Sequence, residues 1–598
     1  MSTTPSCTAL PAGLRSRVTG LALLAGLAAS LAAALPAAGQ ATVAPTERRS
    51  VFTREAVPQA IPGWWNDAVF YQVFVRSFAD SAAGPKAGDG IGDFAGLIER
   101  LDYLNDGKPE TTTDLGVTAL WLMPITQSPS YHGYDTTDYY TIEEDYGTNA
   151  DFQRFMAECR KRGIKVIIDT VLNHHSDKHP WFTRAIDPAG PYHDWYLFSP
   201  KNPGWRGPWN QQVWHEVRPA QLPAGAPPAA VSQFYYGLFS REMPDLNYRN
   251  QAVTDEMLKM IRWWHTEMKV DGFRLDAIRH LIEDGQQQDN TLDTHRWLEM
   301  MGRDLYTLNP DLFTVGEVWA PTADARLYVG GREKPSDPAT GRDNLSPKLR
   351  SVFEFDLATF TVEAARDGSS VKLNGKLREV LAGYPASQFC TFLANHDQPR
   401  VLTMLKGNRP AAAAAATVQF ALPGIPFVYY GEEIGMLGDK PDPDIRTPMQ
   451  WTADPDRGGF TSGTPWRKLN PDTPKVNVAA QTADPASMLS HYRRLISARR
   501  GNDALRRGDT TPLQPSTPAL FAVLRHTPDR QGVLAVVNLT AEPVKGASLT
   551  GTPPVAWQMR KDAADLLTGA PVRPLAPTEL PDLPPYGALY IPVELTGK

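Results

Sequence analysis

Cysteine is almost missing from this chain, with three in 598 residues. Cys7 sits in the N-terminal leader, which leaves Cys159 and Cys390 in a helix-like and a strand-like segment. That excludes a disulfide framework and makes both read as packed thiols. Charge of one sign is also scarce: 60 basic residues against 66 acidic ones give a formal net charge of -6. There is too little positive field to gather nucleic acid, and a neutral substrate suits such a surface. No internal repeat is present, and after the first forty or so residues no stretch is apolar enough to span a bilayer.

The one long apolar run reads as export. Arg15 and Arg17 precede apolar residues 18–35, and small residues follow over 36–41. A signal peptide over 1–41, cleaved near Ala38 to Ala41, and a linker over 42–63 are expected, giving a secreted or periplasmic protein with no membrane after cleavage. A membrane anchor is the other reading, and the Ala and Gly content of the run argues against it. Beyond the leader the chain is rich in aromatic residues, 10% overall with 15 Trp and 20 Tyr. Flat rings stack on sugar faces, although large cores use them too.

Short β-branched or aromatic runs alternate with amphipathic stretches from about 69 to 500. The strand candidates are 69–75, 117–123, 164–172, 270–276, 312–318, 352–355, 389–393 and 425–430, with helices such as 151–162, 254–268 and 292–305 between them. Eight such units predict an α/β chain folded as a (β/α)8 TIM barrel over 64–175 and 251–507. The stretch 176–250, rich in Pro, Gly, Trp and Tyr, is too long for a plain loop and reads as an inserted domain after the third strand. The alanine run 411–416 fits a barrel helix. Alternating runs separated by Pro and Gly turns over 508–598 predict a C-terminal antiparallel β-sandwich.

In such a barrel the working groups sit at the carboxyl ends of strands. Four candidate strands end in polar clusters: Asp169 to His174, Gly272 to Ala277, Gly316 to Trp319 and Asn395 to Asp397. One acidic strand end is often a structural ion pair, but four converging ends point to chemistry. Arg274 and Asp276, two residues apart, share one face of a strand. The cation beside the carboxylate favours the ionised form that a nucleophile needs. Glu317, between a glycine and Val318-Trp319, has apolar surroundings suited to a protonated acid.

These blocks, in their order and spacing, resemble those of the α-amylase family, glycoside hydrolase family 13, from Phe70 to the C-terminal domain. The resemblance implies Asp276 as nucleophile, Glu317 as general acid/base and Asp397 as a third carboxylate on the sugar's secondary hydroxyls. It implies substrate contacts from His132, Tyr134, His174, Arg274 and His396. Met243 to Asn247 and Phe392 to Gln398 are similar to the subgroup intermediate between oligo-1,6-glucosidases and neopullulanases, whereas Arg446-Thr-Pro-Met-Gln-Trp451 is shared with oligoglucosidase-like members. Ala277 stands where the α-1,6-specific members carry Val. Tyr131 stands where exo-acting members carry an Asp that caps the terminal sugar.

The family also implies calcium. One candidate set is Asn173, Asp245 and the carbonyl of His280; a second is the loop with Asp80, Asp89, the Ile91 carbonyl and Asp93, which departs from the family pattern by an insertion around Gly84 to Ala87. The expected function is retaining hydrolysis of α-1,4 bonds in starch, glycogen or maltooligosaccharides by a monomer. An exo-acting α-glucosidase and a 4-α-glucanotransferase are the alternatives. A non-catalytic, transporter-associated relative is remote, because all three carboxylates are present and no internal membrane span exists.

Overall fold

The computed structural model describes residues 59–222, 233–333 and 344–596. The expected signal peptide and most of the linker lie outside the described residues. Eight strands alternate with helices along the chain: β1 (Phe70–Val73), β2 (Ala119–Leu122), β3 (Lys165–Val171), β4 (Gly272–Asp276), β5 (Phe313–Gly316), β6 (Ser351–Val352), β7 (Cys390–Thr391) and β8 (Ile425–Tyr429). Every pairing is parallel and joins sequential neighbours, β1 also pairs with β8, and a parallel bridge from Phe353 to Cys390 closes the ring between β6 and β7. The expected barrel is present. β6 and β7 are shorter than their sequence runs, and the helix Phe355–Asp367 starts three residues past β6.

Strand alternation decides what fills the barrel. Phe70, Ile167, Phe313 and Phe427 point inward and form its lower core, with Phe70 stacked on Phe427 at 4.3 Å and Trp65 on Phe313 at 5.5 Å. Outward-facing Phe273 and Leu275 of β4 pack under the helix layer. Further toward the carboxyl ends, the inward side chains of β1, β3 and β4 become Gln72, Asp169, Arg274 and Asp276. Gly272 is needed at the start of β4, because a Cβ there would lie 2.1 Å from the Phe313 carbonyl oxygen.

Three of the barrel helices begin at side-chain caps, two of them ahead of the expected apolar pattern and the third at Leu292 as expected. Asn149–Lys161 starts from a Thr148–Asp151 capping box, and Gln251–Thr266 and Leu292–Leu308 start from Asn250 and Thr291. The alanine run lies in the helix Arg409–Ala421, buried on most of its sides. Its small side chains let that helix sit close under the C-terminal sheet.

The segment after β3 carries its own small core of Val213, Trp214, Tyr236 and Leu238 around a three-stranded antiparallel sheet, with Phe234–Tyr236 between Phe198–Ser199 and Trp214–Glu216. After the helix Asp503–Arg507 comes a five-stranded antiparallel sheet: β9 (Asp509–Pro512), β10 (Leu520–His526), β11 (Gln531–Asn538), β12 (Trp557–Met559) and β13 (Ala588–Leu595), in the order β9-β10-β11-β13-β12. Alternate residues of its strands serve two cores. Phe521, Val523, Val533 and Val537 join the barrel core, while Leu520, Leu524, Leu534 and Val536 face a second core under residues 544–583. The second layer of the expected sandwich is irregular, held by isolated bridges such as Val544 to Leu583 and Ser548 to Glu579, in a stretch where prolines interrupt any longer ladder. Cys159 and Cys390 are buried free thiols. Among the described residues no helix is long and apolar enough to cross a membrane.

Candidate active site

Arg274 is the hub of the barrel mouth. Its side chain is fully buried, its Nη1 donates to Asp169 Oδ1 at 2.8 Å and to Asp276 Oδ1 at 2.5 Å, and its Nη2 lies 3.0 Å from Glu317 Oε2. Register explains the arrangement: Asp169 of β3 and Val315 of β5 are both lateral partners of Arg274, so its neighbours on either side converge on one guanidinium. The rings of Trp121 and Tyr134 flank it, with centroids 5.3 and 5.9 Å from Cζ. Glu317 Oε2 also accepts the Ala277 backbone N–H at 3.0 Å. That N–H is aimed by the left-handed conformation of Ala277, at φ 48°, immediately after Asp276.

Burial sets the electrostatics. It raises Asp276 to about 6 and Glu317 to about 7, in each case against the pull of Arg274, and the nearby Asp397 adds to both. Asp169 is likewise raised to about 6. The sequence expectation that Arg274 keeps Asp276 ionised is thus half the account: the cation does lower Asp276, but desolvation is the larger effect. Burial also works against the charge of Arg274, yet Asp169, Glu317 and Asp276 outweigh it.

A second chain of contacts runs from Gln72 to Asp169. Gln72 Nε2 lies 2.7 Å from His396 Nδ1, His396 Nε2 lies 2.5 Å from Tyr134 Oη, and Tyr134 Oη donates to Asp169 Oδ2 at 3.0 Å. The amide can only donate to Nδ1, which leaves the proton on Nε2 and a neutral imidazole. Burial pushes His396 well below its ordinary value, in agreement. The Tyr134 ring lies parallel to His396 at 5.5 Å and is half-buried. Asp397 Oδ2 lies 3.1 Å from His396 Nε2, and Asp397 Oδ1 lies 3.0 Å from Arg446 Nη2.

His174 and His132 complete the ring of predicted residues. His174 is buried, pushed to about 3 by burial, and its Nε2 has no hydrogen-bond partner. His132 accepts the Tyr134 N–H at Nδ1, and burial lowers it too. The structure therefore gathers Asp276, Glu317, Asp397, Tyr134, His132, His174, Arg274 and His396 around one cleft. Sequence reasoning assigned no part to Asp169, Gln72, Trp121 or Arg446. Asp169 stood in a polar strand end, and Arg446 opened a motif read only for its subgroup; what each one touches depends on register and loop path.

The first calcium set fits a cation. A backbone bridge pairs His174 with Asp245, so Asn173 and Asp245 lie side by side, with Asn173 Nδ2 donating to Asp245 Oδ2 at 3.0 Å. Asn173 Oδ1 is buried without a partner, as is Tyr236 Oη, whose charge environment includes both Asp245 and Glu283. Two carboxylates that repel one another beside an orphaned carbonyl oxygen are a hard-oxygen donor set. His280 is buried in the turn Ile278–His280 just past β4. The loop set lacks this sign. Asp80 accepts from the Gly88 and Gly90 N–H groups and from Thr461, Asp93 accepts from Ser81 and caps a helix through the Gly96 N–H, and Asp89 folds back on the Ile91 N–H. Protein donors occupy all three carboxylates. Among the described residues no group of three or more acidic, His or Cys side chains is poised for a metal, so at the first set too a cation would rely on the Asn173 amide and backbone oxygens.

The α-amylase catalytic-domain family model matches residues 72–508. Alpha-amylase 3 of Dictyoglomus thermophilum is 37% identical over 481 residues, covering 80% of this chain and 85% of that protein. An oligo-1,6-glucosidase of Parageobacillus thermoglucosidasius is 30% identical over 543 residues, covering 80% and 90%. Among solved structures, the alpha-amylase from H. orenii superposes with a TM-score of 0.72 at 33% identity, covering 88% of this chain and 99% of that one. With that match spanning the barrel and its four strand-end clusters, this chain belongs to the α-amylase family of glycoside hydrolases.

Proposed function

We propose that this glycoside hydrolase cleaves α-1,4 bonds within glucan chains by double displacement, as a secreted or periplasmic α-amylase. The observation that carries the chemistry is that one buried guanidinium holds Asp276 and Glu317 through its two terminal nitrogens. Both carboxyl groups thereby reach one anomeric carbon, as a retaining pair roughly 5–5.5 Å apart does. An Asp276 oxygen attacks that carbon while Glu317 gives its proton to the departing glycosidic oxygen. Glu317, now ionised, takes a proton from water, whose oxygen displaces Asp276 and restores the configuration. Asp397, with His174 and His396 as neutral donors, binds the sugar's hydroxyls.

The preference for the chain interior rests on Tyr131 in place of a carboxylate and on the leaving-group side. Trp319, two residues past Glu317, is 51% exposed and stacked on Phe355 at 4.6 Å, so its other face is open to a sugar. Trp209 is also exposed, beside Phe239 and His280. One observation favours the exo-acting alternative: Tyr131 is stacked on Trp466 at 5.4 Å with Arg446 on the ring, which occupies part of the surface a further glucose would use. Calcium held by Asn173, Asp245 and the His280 carbonyl would tie the inserted segment to the ends of β3 and β4. The deciding experiment is hydrolysis of a maltoheptaoside blocked at its non-reducing end, with products sized over time. Internal cleavage releases several oligosaccharides; resistance of the blocked substrate, with only glucose from the unblocked one, would make the enzyme an α-glucosidase.

A further inference from the structure

The amino end of the barrel carries an arginine-lined cavity that the glycosidase chemistry does not use. It has a volume of about 750 Å3 and lies between residues 109–116, the helix Met488–Arg500 and Leu566-Leu567 of the C-terminal domain. Residues 109–116 lead into the start of β2, so the cavity opens at the end of the barrel opposite to Asp276 and Glu317.

Arg493, Arg494 and Arg500 line it. Their hydrogen bonds all go to main-chain carbonyls: Arg493 to Asp114 at 3.1 Å, to Thr113 and to Thr482, Arg494 to Pro485 at 2.8 Å, and Arg500 to Gly116 at 3.3 Å. A guanidinium carries five N–H donors, so Arg494 and Arg500 keep most of theirs for another acceptor. The one acid in the wall, Asp114, accepts the Asp106 N–H at 3.1 Å and cannot balance three cations. Burial lowers both Arg493 and Arg494, and it outweighs the pull of Asp114 and Glu433 on the first and of Asp565 on the second, none of which is an ion pair at contact distance. Three arginines in one wall, none with a carboxylate in hydrogen-bond contact, stand out in a chain whose net charge is -6.

We propose that this cavity binds a phosphorylated small molecule, with Arg493, Arg494 and Arg500 on the phosphate and the polar wall around Thr111 to Thr113 on the body of the ligand. Guanidinium forks match phosphate oxygens in pairs, which ammonium or hydroxyl groups do not. The volume exceeds what a bare oxyanion fills and falls in the range of roughly 300–1,000 Å3 usual for small-molecule sites. Leu566 and Leu567 place the C-terminal domain in the same wall, so a bound ligand joins it to the barrel and stabilises the folded state.

The test is thermal unfolding of the purified chain against inorganic phosphate, glucose 6-phosphate and glucose, with sodium chloride matching the ionic strength. A saturable rise in Tm with glucose 6-phosphate and none with glucose is expected, and it persists in Asp276→Asn, which separates this cavity from the catalytic cleft. Equal saturation by inorganic phosphate would make the free anion the ligand; tighter binding of glucose 6-phosphate would assign the sugar-linked form. Arg494→Gln and Arg500→Gln each abolish the shift and leave kcat on maltooligosaccharides unchanged. Arg500→Gln, which removes a single long hydrogen bond, serves where Arg494→Gln does not fold. A rise no larger than that in sodium chloride, a shift that survives both substitutions, or one lost in Asp276→Asn would overturn the proposal.

Discussion

Arg446 holds Asp397 from behind: its Nη2 lies 3.0 Å from Asp397 Oδ1, while its Nε donates at 2.9 Å to the carbonyl of His396, the preceding residue. One guanidinium thus holds the Asp397 carboxylate and the backbone just before it. Arg446 is itself buried and also reaches Asp442 at 3.1 Å. Arg446→Gln is expected to lower kcat/KM by about 10–100-fold, because Asp397 is then free to turn away from the sugar. Arg446→Lys restores charge without the fork and recovers part of the loss. Steady-state kinetics on maltooligosaccharides, with circular dichroism to establish folding, measure this; wild-type kinetics in Arg446→Gln would remove the positioning role.

The pH dependence of kcat/KM follows from the Asp276 and Glu317 pair. The nucleophile must be ionised, so activity rises as pH passes about 6, and the acid must be protonated, so activity falls as pH passes about 7. The two groups share Arg274, and the limbs of the bell belong to the pair. Glu317→Gln is expected to lower kcat by roughly 10³-fold or more on an unactivated substrate and to remove the alkaline limb. A substrate with a good leaving group, which needs no proton, should recover much of the first step. An unchanged alkaline limb in Glu317→Gln would reassign the acid.

Calcium removal offers a test that does not depend on turnover. An ion held by Asn173 Oδ1 and Asp245 would bind only the folded chain, so excess chelator should lower Tm and added calcium should restore it. Asn173→Ala deletes the orphaned oxygen and should make Tm indifferent to chelator. Elemental analysis reporting no metal, together with an unchanged melting curve, would remove the calcium reading.

Glu432 and Glu433 form a buried carboxyl pair outside the cleft. Glu432 Oε1 accepts from Tyr492 at 2.8 Å, and Glu433 Oε1 accepts from Tyr71 at 2.8 Å and Tyr103 at 2.6 Å. The remaining oxygen of each has no partner. Burial raises Glu432 to about 8 from an ordinary 4.5, so the folded state holds a proton that the unfolded state has lost. Stability from this group is full below the unfolded value and declines as pH rises to about 8. Glu432→Gln keeps the acceptor for Tyr492 and removes the ionisation, and should stabilise the protein at pH 9 by an amount of the order of a few kcal/mol while changing little at pH 5. Denaturant melts at the two pH values decide it, and equal effects at both would show that Glu432 is not held protonated.

Much of this protein is legible in its sequence because strand and helix periodicities are local. The eight apolar runs, the alternation that turns Arg274 and Asp276 inward, and the acidic strand ends all follow from backbone geometry within a few residues. The caps that set helix starts, such as Thr148 with Asp151, are equally local, although the apolar pattern alone placed two of the starts two or three residues late while matching the third at Leu292. What the tertiary structure decided is everything that depends on register and burial. The lateral pairing of Asp169 with Arg274 puts a third carboxylate on the guanidinium, and the path of residues 438–446 brings Arg446 back under Asp397. The orphaned Asn173 oxygen arises where the return segment at Asp245 pairs with the end of β3. Burial then raises Asp276 despite its cation, because desolvation depends on how many elements close over a group, and those elements are far apart in sequence.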